Sequence, residues 1–522
     1  MIREISRRKC LRLWLCKPEY MERTKWENRF VLLRFRKKNY MMFLKDLKRF
    51  KMERLYDKLK AYSESDFYAF HMPGHKRNKA LLGIELPYDL DITEIDGFDD
   101  LHHADGILKE EQERAARVFG AEESHFLVNG STAGILSAVM GCTHRGDKIL
   151  VARHCHKSIY HAIYMNGLVP RYVYPEFDIS MHMNGEISKE DVAKALAAEP
   201  DIKAVVIVSP NYDGVVSYVK GIAEVAHSYR IPLIVDEAHG PHFGFHPAFP
   251  GRANDLGADV VINSLHKTLP SLTQTAILHI NGKIVNRRRI KKYLDMLQSS
   301  SPSYIFMASL DACVDFVDGK CENAFELYVE RLQKFREELK PLQHLQILRT
   351  EHYDISKVVI STANANITSP ELADRLRKEY HLEMEMTGGT YVLAMTTVAD
   401  TQEGLDRLKA ALLEIDGQLE AKTAVSGSIE ISGELPRLEQ YFTPQEAADR
   451  EEDGEAEEIP WKESEGHISL EYAYLYPPGS PVIVPGERIS REAVELLCYY
   501  ETQNLQIEGI QTEGKIKVWK HE

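Results

Sequence analysis

The sequence predicts a doubly wound α/β domain with a mostly parallel sheet, joined to a smaller α/β domain and a small C-terminal α+β domain. Short runs of Val, Ile and Leu, such as KILVA (148–152), AVVIV (204–208) and PLIVD (232–236), alternate with helix-length segments. The interior positions of these runs are continuously apolar, as in strands that are buried on both faces of a parallel sheet. A length of 522 residues suits about two to four domains. The residues are 44% hydrophobic and 28% charged, which is a globular composition.

The first elements of the large domain follow one another in strand, turn and helix order. ILKEEQERAARVFGA (107–121) places its apolar residues on one helical face, and a glycine near its end makes a stop. SHFLV (124–128) predicts a strand, NGSTAG (129–134) a tight turn and ILSAVMGCT (135–143) the next helix. The pattern recurs as far as DVVIN (259–263), which predicts the last parallel strand.

The second half of the chain predicts two smaller domains. ENAFELYVERLQKFREELKPL (322–342) is typical of a long amphipathic helix, and SPELADRLRKEY (369–380) of a shorter one. Residues 446–465 hold ten acids against two bases, which favours a solvated linker or surface. The predicted divisions are a basic extension at 1–50, an N-terminal arm at 51–95, the large domain at 96–300, the small domain at 301–420, an acidic linker at 421–467 and the C-terminal domain at 468–522.

Charge is distributed unevenly along the chain. Residues 1–51 carry a net +12, whereas the remainder carries −26. A basic segment of this kind binds nucleic acid or an anionic membrane in some proteins. We expect it instead to be either a poorly ordered extension or translated sequence upstream of a start at Met41, Met42 or Met52, with no nucleic-acid or membrane partner.

The cysteines argue against a disulfide framework and against a metal site. There are seven, and no two of them form a Cys-x-x-Cys pair. This favours a reducing compartment without a structural zinc ion. No apolar run approaches the length of about 18 residues that spans a bilayer, so we expect a cytoplasmic protein.

Polar residues follow several of the predicted strands directly, at the edge where parallel sheets bind ligands. Gly130, Ser131 and Thr132 stand between a strand and a helix, where backbone N–H groups and the helix dipole favour a phosphate. The alternative is an ordinary helix cap. Asp236 ends a buried strand, and a carboxylate placed there requires a cation. Lys267 follows the next strand, where burial would depress its pKa and make it a nucleophilic amine.

An anion cradle, a buried acid and a nucleophilic amine are together what pyridoxal phosphate requires. In that interpretation Lys267 forms an imine with the cofactor aldehyde, Asp236 keeps the ring nitrogen protonated, and Ser264 and His266 reach the phosphate. His156, after another strand, is the candidate for a flat imidazole stacked on the ring.

Eight stretches in this order resemble the fold type I ornithine/lysine/arginine decarboxylases, and most closely their short bacterial biosynthetic forms, such as those for arginine. They are FHMPGHKR (70–77), GILKEEQERAARVFGA (106–121), NGSTAG (129–134), RHCHKS (153–158), PNYDGV (210–215), VDEAHGPHF (235–243), SLHKTLPSLTQ (264–274) and YPPGSPVIVPGE (476–487). The combination is specific, although each piece alone is not.

The resemblance implies a pyridoxal-phosphate enzyme that decarboxylates a basic L-amino acid in polyamine metabolism. It implies the roles already given to Lys267, Asp236 and His156, with phosphate contacts from Ser131, Thr132, Ser264 and His266. It places His239 near the phenolic oxygen of the cofactor and makes the loop with His75 and Lys76 a border of the active site. It also implies a homodimer or an assembly of dimers, with the site at the subunit interface.

Several alternatives stay open at this stage. The substrate is arginine, lysine or ornithine, and Asp96, Asp99, Asp100 and Glu385 are all candidates for binding its distal cation. Either Lys267 or His156 supplies the proton at Cα. An aminotransferase or amino-acid lyase is the nearest other activity, and a nucleic-acid-docking protein that uses the basic arm is the non-enzymatic one.

Overall fold

The computed structural model describes most of the chain after the basic segment. The basic extension at residues 1–50 and its three candidate start methionines lie outside the described residues. Those described are 53–81, 83–178, 183–348, 352–421, 434–475, 479–502, 505 and 507–520.

The large domain alternates strands and helices from its first helix onwards. Its helices, with the arm helix first, are α1 (Leu55–Ser63), α2 (Ile107–Val118), α3 (Gly130–Cys142), α4 (Lys157–Met165), α5 (Lys189–Ala198), α6 (Val219–Ser228), α7 (Leu265–Thr268) and α8 (Arg287–Leu297). Its strands are β1 (Glu123–Leu127), β2 (Lys148–Ala152), β3 (Val169–Val173), β4 (Phe177–Asp178), β5 (Met183–Asn184), β6 (Val205–Val208), β7 (Leu233–Asp236), β8 (Val260–Asn263) and β9 (Ala276–Ile280).

Seven of these strands form one sheet in the order β1-β9-β8-β7-β6-β2-β3. The strands from β8 to β3 are parallel to their neighbours, whereas β9 runs antiparallel between β1 and β8. The side chains of β6, β7 and β8 are buried along their whole length, as expected for strands covered by helices on both faces. The predicted doubly wound α/β fold is confirmed.

One local prediction in the large domain differs from the structure. The NGSTAG stretch was expected to be a turn before a helix, but α3 already begins at Gly130. Ser131 and Thr132 therefore occupy the first helical turn, where their N–H groups have no intrahelical partner. The chain enters this helix through Gly130 with a φ of +71°. Glycine adopts this conformation readily, whereas residues with a side chain rarely do.

The small domain packs four helices around a four-stranded sheet. Its helices are α9 (Tyr304–Val317), α10 (Glu322–Glu338), α11 (Ser369–Tyr380) and α12 (Gln402–Asp416). Its strands, β10 (Gln346–Ile347), β11 (Lys357–Ser361), β12 (Met386–Thr387) and β13 (Tyr391–Met395), form an antiparallel sheet in the order β10-β11-β13-β12. Both helices predicted from this half of the chain are present.

The C-terminal domain contains short antiparallel strand pairs and two helices. Its helices are α13 (Pro444–Glu452) and α14 (Arg491–Thr502). Its strands are β14 (Glu439–Gln440), β15 (Ala456–Pro460), β16 (Ala473–Leu475), β17 (Pro481–Ile483), β18 (Glu487–Arg488), β19 (Ile507–Glu508) and β20 (Lys515–Trp519).

The acidic segment differs from the predicted linker, since the part of it that the structure describes is folded into the C-terminal domain. Strand β14 pairs with β18, and β15 pairs with β20 over five residues. The reason is that a few apolar side chains, including Ile459 and Trp461, pack in the C-terminal core, while the carboxylates of Glu457 and Glu458 face solvent. The linker prediction was based on the number of acidic residues and did not weigh these few apolar side chains.

A buried ion pair joins the C-terminal domain to the large sheet. The guanidinium of Arg153, just after β2, donates to both carboxylate oxygens of Glu487 at 2.8 and 2.9 Å and to the carbonyl oxygen of Val482 at 2.9 Å. Both charged side chains are fully buried. The end of β2 is therefore fixed by a residue more than 300 positions away.

Within the described ranges, no helix has both the length and the apolar content needed to cross a bilayer.

Candidate active site

A cavity of about 530 Å³ lies at the carboxyl ends of the parallel strands, where the large, small and C-terminal domains meet. Strands β6 and β7 end in it, and the segments after β2 and β8 border it. Its lining residues are Gly130, Ser131, Thr132, Ile135, His154, His156, Asn184, Val208, Asn211, Tyr212, Asp213, Asp236, Ala238, His239, Ser264, His266, Lys267, Glu385, Met395, Thr397 and Ser480.

One end of the cavity is an anion cradle at the start of α3. The hydroxyls of Ser131 and Ser264 lie 2.6 Å apart, so two segments separated by 133 residues present adjacent donors. The N–H of Gly130 donates to the carbonyl of Gln274 at 3.0 Å, which fixes the start of the helix. Thr132 lines the cavity beside them. Hydroxyls and free N–H groups at a helix N-terminus form a suitable site for a phosphate.

Asp236 is the last residue of β7, and 3% of its surface is exposed. Its Oδ1 accepts a hydrogen bond from the N–H of Ala238 at 3.1 Å. Burial raises the pKa of Asp236, and the charge of Lys267 opposes that rise. A cation at this position, such as a protonated ring nitrogen, would stabilise the carboxylate.

Lys267 lies in the one-turn helix α7, which directly follows β8. Burial lowers the pKa of its amine, while Asp236 and Glu385 counteract part of that effect. Its Nζ lies 2.8 Å from Nε2 of His239. A lysine whose pKa is lowered has more of the free amine at neutral pH, which is the form that attacks an aldehyde.

His239 links Lys267 to a second buried lysine. Its other ring nitrogen, Nδ1, lies 2.9 Å from Nζ of Lys357, which is fully buried at the first position of β11. The ring of Tyr212 packs on the imidazole with centroids 4.5 Å apart. Burial and the two lysines lower the pKa of His239 well below its usual value, so its ring is neutral.

Two further histidines predicted for the site, His156 and His266, also line the cavity. His156 caps α4, accepting from the N–H of Ser158 at 3.2 Å, and burial followed by the charge of Lys267 lowers its pKa to about 4. A neutral ring suits stacking better than proton storage. Nδ1 of His266 lies 2.9 Å from the carbonyl of Thr275, so Nδ1 carries the hydrogen and Nε2 is left for a ligand.

The loop containing His75 and Lys76 does not line the cavity of this chain. His75 stacks on Tyr88 with centroids 4.5 Å apart and lies 3.2 Å from Asp91, while Lys76 is exposed and donates to the carbonyl of His71. The structure therefore brings together nine of the eleven predicted site residues and leaves these two outside.

The structure distinguishes the four acidic residues predicted as candidates for binding the distal cation of the substrate. Asp99 accepts hydrogen bonds from backbone N–H groups at the start of α2, including those of Gly106 and Leu108 at 2.9 Å. Asp100 accepts from the N–H of His102 at 2.8 Å. Of the four, Glu385 lines the cavity, where the Tyr212 hydroxyl donates to it, whereas Asp96 is not among the lining residues.

Sequence reasoning gave no role to several residues that line or adjoin the cavity. Tyr212 and Asp213 stand in the PNYDGV stretch, and Ser480 in YPPGSPV, so the family-like motifs did contain them. Ser480 donates from its hydroxyl to the carbonyl of His154 at 2.8 Å, which brings the C-terminal domain into the site. Lys357 had one signal, a lysine at the start of an apolar strand.

The donor set fits pyridoxal phosphate. The cradle of Ser131 and Ser264 would hold the phosphate, Asp236 the ring nitrogen and Lys267 the aldehyde carbon. Two buried polar atoms of lining residues, Nδ1 of His154 and Oδ1 of Asn184, have no hydrogen-bond partner among the described residues, which is consistent with a wall built for a ligand. The arrangement supports amine chemistry on an amino acid.

Comparisons with known proteins agree with this assignment. Residues 53–421 match the family model for the Orn/Lys/Arg decarboxylase major domain, and residues 433–514 match that for its C-terminal domain. The chain is 33% identical over 471 residues to an arginine decarboxylase of Bacillus subtilis, covering 87% of this chain and 95% of that protein.

Two lysine decarboxylases are more distant. One from Pseudomonas aeruginosa is 25% identical, with 83% of this chain and 73% of that protein covered. The crystal structure of a Francisella novicida lysine decarboxylase superposes with a TM-score of 0.77 at 20% identity, covering 92% of this chain and 83% of that one. This structural likeness shows a shared fold.

Proposed function

Since the chain belongs to the Orn/Lys/Arg decarboxylase family, we propose that it decarboxylates L-arginine to agmatine and CO2 in polyamine metabolism. The chain is a pyridoxal-phosphate-dependent decarboxylase of a basic amino acid. The observation that carries the reaction class is the convergence of Lys267, Asp236 and the Ser131–Ser264 pair on one cavity. Arginine is favoured because the Bacillus arginine decarboxylase is more similar to this chain than the lysine decarboxylases are.

When bound, pyridoxal phosphate supplies an aldehyde for amines and a conjugated ring that accepts the electron pair released with CO2. Asp236 would keep the ring nitrogen protonated, because a buried carboxylate stabilises a cation beside it. Lys267 would hold the cofactor at its aldehyde carbon through the amine that lines the cavity. The neutral ring of His156 would lie against the cofactor.

Glu385 is our candidate for binding the distal cation of the substrate. It lines the cavity, accepts from the hydroxyl of Tyr212 and acts electrostatically on Lys267. A carboxylate can bind a guanidinium through two parallel hydrogen bonds, whereas an ammonium is held as a point charge. A two-point contact of this kind would favour arginine over lysine and ornithine.

A substrate panel tests the proposed activity. We expect purified protein with pyridoxal phosphate to release CO2 and agmatine from L-arginine, at a higher kcat/KM than with lysine or ornithine. Glu385→Gln should lower kcat/KM for arginine about 10- to 100-fold by loss of a charge-assisted contact. Glu383→Gln, an exposed acid in the same segment, is the matched control. Stoichiometric keto acid without CO2 would instead support an aminotransferase and contradict the proposal.

We also propose that the enzyme works as a homodimer in the cytoplasm. Large apolar side chains of the arm are unusually exposed, with Phe70 at 90%, Tyr68 at 71% and Leu81 at 74%. An exposed patch of this kind marks an interaction surface. The arm includes His75 and Lys76, which would border the cavity of the partner subunit.

The cytoplasmic location is supported by the cysteines, because those in the described residues are free thiols, as expected in a reducing compartment. Cell fractionation tests this location.

Sedimentation measurements test the dimer. We expect the wild type to sediment as a dimer, and Phe70→Asp to shift it towards monomer and lower activity at the same protein concentration. Met296→Asp changes a side chain that is 61% exposed elsewhere and should leave the dimer intact. A wild type that stays monomeric at micromolar concentrations and is fully active would contradict the proposal.

A further inference from the structure

One imidazole in the wall of the cavity, that of His239, lies between two lysine amines. His239 Nε2 lies 2.8 Å from Nζ of Lys267, and His239 Nδ1 lies 2.9 Å from Nζ of Lys357. Lys267 comes from the large domain and Lys357 from the first residue of β11 in the small domain. Of these two lysines, only Lys267 has a part in the cofactor chemistry described above, so Lys357 has no assigned role. A buried lysine is costly to desolvate and calls for a reason.

The directions of the hydrogen bonds among Lys267, His239 and Lys357 follow from the donors and acceptors that each group has. A neutral imidazole has one donor nitrogen and one acceptor nitrogen, and an ammonium group can only donate. While Lys357 is protonated, it donates to Nδ1 of His239, and the hydrogen of the ring lies on Nε2. Nε2 then donates to Lys267, which must be a neutral amine to accept. A charged Lys357 thus holds Lys267 in its free-base form.

Decarboxylation consumes one proton in each turnover. The bond between Cα and the carboxylate breaks, CO2 leaves without its electron pair, and a C–H bond forms at Cα. The proton for that bond must come from a group within the cavity. If Lys267 delivers that proton, it must first receive one, because the hydrogen bonds to His239 hold it as a neutral amine.

We propose that Lys357 is the proton reservoir for this reaction and acts through His239. A proton passes from Lys357 Nζ to His239 Nδ1, while the hydrogen on Nε2 passes to Lys267, which delivers it to Cα. Lys357 is then a neutral amine, His239 is in its other tautomer and Lys267 is again a free base. A solvent proton that enters at Nε2 returns the Nδ1 hydrogen to Lys357. This proposal rests on the decarboxylase activity stated above.

The charges around the three groups are consistent with a reservoir that works near neutral pH. Burial lowers the pKa of Lys357 to about 8; Asp354 opposes that effect and the charge of Lys267 adds to it. The amine is protonated below that pH and loses its proton above it. Burial raises the pKa of Asp213 to about 6, too low to account for an alkaline transition. The other titratable groups that face the three are Asp236, Glu385, His156, His266, Tyr212, Tyr353 and Tyr391.

A second contact beside the first supplies a control. His242 lies three residues after His239, and Asp354 three residues before Lys357. Nε2 of His242 is 3.1 Å from Asp354, and its Nδ1 is 3.0 Å from the hydroxyl of Thr268. This contact joins the same two domains at the same place without touching the amine of Lys267.

The experiment compares Lys357→Met, Lys357→Arg and His242→Gln with the wild type. Two quantities are measured against pH: kcat for CO2 release, and the rate at which the apoprotein attaches the cofactor covalently, which reports the free-base fraction of Lys267. In the wild type, kcat should fall as pH rises through about 8. Lys357→Met should lower kcat about 100-fold, with a smaller change in KM, and should shift the attachment profile to higher pH.

Lys357→Arg separates proton transfer from charge. Arginine keeps the cation and donates to Nδ1 but does not release its proton, so attachment should stay near the wild-type profile while kcat remains about 100-fold low. His242→Gln should lower thermal stability and keep the alkaline fall in kcat near pH 8. Full kcat in Lys357→Arg, or an unchanged pH profile in Lys357→Met, would overturn the relay. The attachment profile tests the Lys267–His239–Lys357 link even if no basic amino acid is decarboxylated.

Discussion

Lys267→Ala is expected to abolish decarboxylation, with a fall in kcat of roughly 10³- to 10⁴-fold. Lys267 is the amine that must combine with the aldehyde, and it is placed for that by α7 at the end of β8. Alanine leaves the phosphate cradle of Ser131 and Ser264 in place, so the protein should still bind the cofactor without a covalent bond. The yellow chromophore should therefore be lost on dialysis.

The control for this variant is a lysine that plays no part in the site. Lys220→Ala removes an exposed amine on α6 and should leave both activity and chromophore unchanged. Addition of a small amine to Lys267→Ala should restore part of the activity, because the missing function is an amine at one place. Wild-type kcat in Lys267→Ala would refute the assignment of this lysine.

Glu487→Gln should lower the free energy of unfolding by about 3–5 kcal/mol. Burial disfavours the charged form of Arg153, but Glu487 outweighs that effect, and the net result is a raised pKa for the guanidinium. Glutamine keeps a hydrogen-bond acceptor yet removes the only anion that contacts Arg153 in the described structure. A fully buried cation without a counter-charge is among the most destabilising changes in a protein interior.

Urea unfolding of Glu487→Gln and two companions measures this effect. Glu439→Gln breaks the exposed pair with Arg488, next in sequence to Glu487, and should change the midpoint little because such pairs are screened by solvent. The double variant Arg153→Met, Glu487→Leu should recover much of the lost stability, since it removes both charges. Equal midpoints for Glu487→Gln and the wild type would contradict the role given to this ion pair.

The strands and the residues at their tips were predictable because both leave local signals. An apolar run such as VVI (260–262), followed within a few residues by Ser264, His266 and Lys267, shows both its burial and its polar end. Parallel topology then brings such tips together without any knowledge of distant contacts. For the same reason Lys267 and Asp236 could be related before the fold was known.

Other parts of the site depend on contacts between distant segments, which no local pattern records. Lys357 reaches His239 across 118 positions, and Glu487 reaches Arg153 across 334. Asp99 resembled a substrate ligand in sequence, yet its carboxylate is occupied by backbone N–H groups of α2. The choice of Glu385 among four acids required knowing which side chain faces the cavity.

The central claim is that Lys267, rather than any other amine, holds the cofactor. Reductive trapping with borohydride makes the bond between lysine and cofactor permanent, and peptide mapping then locates it. We expect one cofactor per chain, on the peptide that contains Lys267. Lys357 is the stringent alternative, because it is also buried, has a lowered pKa and lies on the other side of the same imidazole. A label on Lys357, or no label on either lysine, would contradict the account.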